Sequence, residues 1–152
     1  MSRMHPLHPL LAHAPVACWT LVPLSDLAAA CLHAASWPAA FFWQASALLA
    51  GTGVAGALLA ATAGTLDYAR ASETAPRLVM THASLMATAL VLAAAGLFGR
   101  LGAGYAPVLP PPAWAIGLGV LAFLVMAVGA GFGGEMVYGR GIGVRRSDGD
   151  QT

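Results

Sequence analysis

The sequence contains no lysine, and its 152 residues carry only seven arginines and six acidic side chains. A soluble domain holds about 25% charged residues because water must solvate its outside; this chain holds 9%. Such an inventory cannot build a polar shell, so lipid is expected to cover most of the surface. A net charge of +1 gives no basic field for nucleic acid. C-x-x-C, C-x-x-C-H, H-E-x-x-H, G-x-S-x-G and G-x-x-x-x-G-K-[ST] are all missing, which excludes covalently attached haem and leaves hydrolysis without a visible nucleophile. Cys18 and Cys31 would lie about 20 Å apart on one helix, too far for a disulfide. Both read as small buried hydrophobes. A cleaved signal peptide is not expected: Pro9, His13, Pro15 and Pro23 interrupt the first apolar stretch, and Asp26 precedes any small-residue cleavage site.

What the chain has in quantity is apolar sequence, 59% of all residues with a mean hydropathy of +0.74. A helix needs about 20 mostly apolar residues to cross a bilayer. Four stretches qualify, at 9–32, 38–66, 77–98 and 112–138. Pro9 suits an opening helical turn, and Pro110-Pro111-Pro112 precedes the fourth span. The fold class is therefore all-α: an integral membrane antiparallel four-helix bundle, in one domain over 1–152. Alternating strand patterns and Asn-Gly hairpins are lacking, which argues against a β-barrel. Gly56, Ala60 and Gly64 recur every fourth residue, as do Gly129 and Gly133; in lipid such stripes let helix backbones approach closely. In a four-pass layout Arg3, Arg70, Arg77, Arg140, Arg145 and Arg146 fall on one side and Arg100 alone on the other. The positive-inside rule then puts both termini in the cytoplasm.

This topology gathers the reactive side chains at one end: His5, His8 and His13; Asp67 and Tyr68; Glu73 and His82; Glu135, Tyr138 and Arg140. His13 and His82 each sit about one turn inside a span, where an imidazole is partly desolvated and keeps a free lone pair. Two neutral histidines on different helices are what a haem iron needs for axial ligation. His13 and His82 are the expected ligands of a b-type haem, with Tyr138 and Arg140 near its propionates. His8 is the reserve, because five residues place it about 140° around the helix from His13. Asp67 and Glu135 are expected to orient a ligating histidine through its other N–H. Asp67, at the end of the second span, opposes the helix dipole and calls for Arg70, Arg77 or Arg140 as partner. The alternatives are a divalent-metal site of His8, His13, His82 and Asp67, or no cofactor and a structural role in a membrane complex. Asp26 reads as a hydrogen-bonded interface residue or part of a proton path. His33 has no histidine partner on its side. Trp37, Trp43 and Trp114 fit an aromatic belt, while Trp19 lies deeper. A transporter is disfavoured, because four short helices without visible repeats leave little room for alternating access.

His8-Pro9, His13-Ala14-Pro15, the Gly64…Asp67 end of the second span and His82 opening the third form a pattern with Gly133-Gly134-Glu135-Met136-Val137-Tyr138 and Gly141-Ile142-Gly143-Val144. In these residues the chain resembles a bacterial membrane family, domain of unknown function 2231. The resemblance spans nearly the whole sequence, and its closing segment is the most specific part. It implies a four-helix domain of the bacterial inner membrane, similar to a family sometimes fused to Rieske or cytochrome c modules. That association points toward electron transfer. This chain carries neither module, so a redox partner would be a separate protein; a second copy of the chain, in a homo-oligomer, is the other candidate partner.

Overall fold

The computed structural model describes residues 7–70, 75–102 and 105–142. They form α1 (His8–Ala34), α2 (Ala40–Arg70), α3 (Pro76–Leu101) and α4 (Ala113–Gly134), and a π-helical turn over Glu135–Gly139 extends α4. All four are long and apolar enough to cross a membrane, and no strand occurs among the described residues. The expected spans agree with these helices to within a few residues. The largest difference is at the end of α2, which continues through Asp67-Tyr68 to Arg70. Polar residues there are no barrier to a helix that has already left the hydrocarbon.

Pro15 and Pro23 lie inside α1 without ending it. Membrane helices tolerate such breaks when neighbouring groups take up the freed carbonyls. α1 ends instead at Ser36, which takes a left-handed φ of 60°. Trp37 N–H then bonds to Leu32 O and Ser36 N–H to His33 O, the paired bonds of a Schellman cap. At the other end of the bundle Asp67 Oδ2 accepts the backbone N–H of His8 at 3.3 Å. The carboxylate that opposes the dipole of α2 thereby caps the positive end of α1.

α1 packs along α2 and α3 along α4, and these two antiparallel hairpins meet along a sparser seam. The hairpins repeat one another in burial. Pro15, Trp19, Val22 and Asp26 of α1 recur with the same spacing as Ala89, Ala93, Gly96 and Arg100 of α3. Ser46, Ala50, Gly53, Ala57 and Ala60 of α2 recur as Ala115, Gly119, Ala122, Met126 and Gly129 of α4. Because α1 and α3 start at the same end, this is a parallel repeat about an axis along the bundle. The sequence reading found no repeat, and the reason is chemical: Trp19 answers to Ala93 and Asp26 to Arg100, so register survives where identity does not.

The centre of the core is Trp19, Ala57, Ala89, Ala93, Ala122 and Met126. Large apolar residues such as Leu10, Leu48, Val91 and Phe98 face outward, as lipid contact requires. Trp37, Trp114 and Tyr105 are exposed near the end opposite the histidines, forming a belt. Trp43 does not join it; it is buried against Ala29 and Ala39 beneath the ring of His33.

Trp19 fits only because α2 has glycine opposite it. A Cβ at Gly53 would overlap Trp19 Nε1 and Cδ1, and Trp19 is buried at 2% exposure. Gly53→Ala is therefore expected to destabilise the bundle by about 1–3 kcal/mol through overpacking. Gly117, with nothing within 4 Å of a Cβ, is the control: Gly117→Ala should be neutral or gain up to about 1 kcal/mol of helix propensity. Reversible unfolding in mixed detergent micelles measures both.

Candidate functional site

Two polar layers cross the seam between the hairpins, one near each end. The first is built on the histidines. His8 opens α1, and its Nδ1 lies 2.7 Å from Ala60 O on α2. Gly64, one turn further along α2, lets the ring lie against the helix: a Cβ there would be 2.8 Å from His8 Nδ1. His82 of α3 repeats this on α4. Its Nδ1 is 2.8 Å from Gly129 O, and a Cβ at Gly133 would be 3.1 Å from its Cε1. The same device thus occurs once in each hairpin, an imidazole over a glycine with the carbonyl four residues earlier as its partner. A carbonyl only accepts, so each Nδ1 carries a proton, and in the neutral ring that leaves the lone pair on Nε2.

Fastened in this way, the two half-buried rings meet across the seam with centroids 6.1 Å apart and planes at 88°. The structure brings His8, the reserve, to His82, and turns His13 away. His13 is exposed, and its Nδ1 donates to Pro9 O of its own helix at 2.7 Å. The 140° between His8 and His13 on a helix means that only one can face inward. The inward one is His8, because Gly64 leaves room for it. Asp67 is near His8 through the backbone N–H bond and not through the imidazole.

The other expected contributors sit apart from the rings. Glu135 and Arg140 are half-exposed and lie 3.8 Å from each other across the π-helical turn, an ion pair worth little in water. Tyr138 is 92% exposed. Arg77 is exposed on the first turn of α3. His5 and Glu73 lie outside the described residues, as does the side chain of Arg70. Among the described residues, no group of three or more His, Cys, Asp or Glu side chains converges as a metal site.

The second layer escaped the sequence reading. Arg100, 2% exposed, forms a bidentate pair with Asp26, 3% exposed. Its Nη2 is 2.7 Å from Asp26 Oδ2 and its Nη1 3.1 Å from Oδ1. Nη1 also donates to Ser46 Oγ at 3.4 Å, and Nη2 to Ala115 O at 3.3 Å. Side chains or backbone of all four helices therefore meet at one guanidinium, whose planar fork suits such a site. A signal for it existed: Asp26 and Arg100 are the one acid and the one arginine on their side of the membrane in the four-pass layout. Two lone opposite charges at matching depth in lipid have each other as the natural partner.

Residues 4–146 match the family described as "Predicted membrane protein (DUF2231)". No curated protein and no solved structure gives a significant match to the chain. With all four helices inside the matched range, the chain belongs to this family of predicted membrane proteins.

Proposed function

We propose that the chain is a non-covalent, b-type haem protein that carries electrons in the membrane, with His8 and His82 as the residues that would hold the haem. The observation that carries this reading is the repeated imidazole device: one ring from each hairpin, each with its Nδ1–H given to a carbonyl and its Nε2 lone pair free. A hydrogen bond at the remote nitrogen fixes tautomer and orientation and raises the basicity of the ligating one. The two imidazoles that would hold the group already meet at the seam, edge to face with centroids 6.1 Å apart.

The size of the donor set favours haem over a bare divalent ion. Zinc sites take three or four protein ligands, and calcium takes six or more oxygens. Haem brings four nitrogens of its own and asks the protein for two. When bound, it supplies a one-electron carrier. The chain's own part is to hold two neutral imidazoles at the seam and to exclude water with the apolar core beneath them. Arg140 and Tyr138, exposed at the same end, are groups that could meet carboxylates of the cofactor. The arginine bias supports an orientation in which that end faces the cytoplasm, in keeping with the bacterial inner membrane proposed for the chain. The electron donor and acceptor would be separate proteins or membrane carriers.

A second reading, a cofactor-free assembly subunit, draws on the same bonds: each histidine ties its own hairpin together, whatever else it binds. One measurement separates the two. Membranes from cells overexpressing the chain and supplied with haem are solubilised, and the purified protein is reduced with dithionite. Soret and α-band absorbance near one haem per chain is expected. A flat visible spectrum leaves the cofactor-free subunit, and metal found by elemental analysis without those bands leaves the divalent site.

A further inference from the structure

Between the Asp26–Arg100 layer and the centre of the bundle lies a small cavity with about 10 Å³ of space for a water's centre. Its walls repeat across the seam. Trp19 and Val22 of α1 face their counterparts Ala93 and Gly96 of α3, while Ala50 of α2 faces Gly119 of α4. Glycine and alanine on three of the four helices hold the space open beside the guanidinium of Arg100, which also lines it.

Two observations concern polar groups of Trp19. Its Nε1 is buried and has no hydrogen-bond partner in the protein. Its carbonyl has lost its helical donor, because the residue four positions on is Pro23. That carbonyl lies beside the Val22–Pro23 turn, and Val22 is a wall residue. An unpaired buried donor costs about 1–3 kcal/mol, and the cost in lipid cannot be relieved by bulk water. A single water needs about 10–15 Å³ and two to four polar partners.

We propose that this cavity is a binding site for one water molecule, which accepts from Trp19 Nε1–H and Arg100 Nε–H and donates to the carbonyl of Trp19. The four Nη hydrogens of Arg100 go to Asp26, Ser46 and Ala115 O, which leaves its Nε–H for the water. The water extends the hydrogen-bonded layer from the guanidinium to the central tryptophan. It also explains why alanine and glycine, and not larger apolar residues, surround the gap.

The test uses the full chain in lipid nanodiscs with ¹⁵N-labelled tryptophan indoles, each assigned by a single Trp→Phe variant. The Trp19 indole proton should give a cross-peak at the water frequency with the sign of a long-lived bound water. The exposed Trp37 indole supplies the reference for free exchange. In Ala93→Val, whose added methyls occupy the cavity, the Trp19 cross-peak is expected to vanish and the indole proton to move upfield. Absence of the cross-peak in the unsubstituted protein overturns the site. Persistence of the cross-peak in a folded Ala93→Val also overturns it, because the water would then lie elsewhere. Should Ala93→Val not fold, Ala50→Ser, which adds one hydroxyl to the wall and little volume, is expected to shift the Trp19 resonance; no shift counts against the site.

Discussion

Arg100→Ala is expected to destabilise the bundle by about 3–5 kcal/mol, the range for breaking a buried ion pair by removing one partner. The variant leaves Asp26 buried with no cation to face. It also removes the group that joins α3 to α1, α2 and the Ala115 carbonyl of α4. The seam between the hairpins is the sparser part of the packing, so the loss falls where little else compensates. The cost comes chiefly from the abandoned charge, and this can be separated from the loss of the pair. Asp26→Leu combined with Arg100→Met exchanges two desolvated ions for apolar volume, which is often neutral or stabilising. The double variant should recover most of the stability that Arg100→Ala loses. Thermal unfolding of the three proteins in one detergent decides the matter: equal losses for the single and double variants would mean that the ion pair itself, and not the orphaned carboxylate, sets the energy. The guanidinium fork adds a second check. Arg100→Lys keeps the charge but cannot make the bidentate contact with Asp26 and reach Ser46 and Ala115 together, so it should fall between Arg100→Ala and the parent.

The four spans and the polar end were legible because they depend on composition and charge order. A stretch either is or is not apolar for about 20 residues, and loops either do or do not carry arginine. What faces what within the bundle was not legible, for a physical reason. In water a helix shows its inner face by being apolar on one side. In lipid the outer face is equally apolar, and α1 carries leucine outward at Leu10, Leu21, Leu24 and Leu27 while burying Pro15, Val22 and Ala29. The pattern that distinguishes inside from outside is instead small residues against small residues, and the Gly56–Ala60–Gly64 stripe was read as such. Its consequence was missed: the side of α2 that carries Gly64 is the side that can accept a ring, so it selects His8. The Asp26–Arg100 pair was open to the same reasoning, since a charge in lipid must be answered by another at its depth. The hairpin repeat was hidden more deeply, because few matched positions preserve residue identity, and apart from His8/His82 and Gly64/Gly133 these are leucine and alanine pairs such as Leu11/Leu85 and Ala61/Ala130.

The choice of His8 over His13 makes the haem proposal sharply divisible. In haem-supplied membranes, His8→Ala and His82→Ala should each lose bound haem by well over tenfold, since losing even a group that only orients a ligand costs about 10–100-fold in affinity. His13→Ala should retain it, because that imidazole is exposed and bonded to Pro9 O on its own helix. The reverse result, loss with His13→Ala and retention with His8→Ala, would sink the pairing and require α1 to rotate about its axis. Glycine variants distinguish a ligand from a staple without deleting any imidazole. Gly64→Ala brings a Cβ to 2.8 Å from His8 Nδ1 and Gly133→Ala one to 3.1 Å from His82 Cε1, whereas Gly131 has nothing within 4 Å. Displacing a ring that ligates iron alters the Soret and α bands and lowers haem occupancy; displacing a ring that only ties two helices alters unfolding alone. Gly64→Ala and Gly133→Ala should therefore change the spectrum in parallel, as equivalent positions in two hairpins, while Gly131→Ala leaves it as it was. A spectrum that responds at Gly133 and not at Gly64 would mean that the iron is held by His82 and some group other than His8.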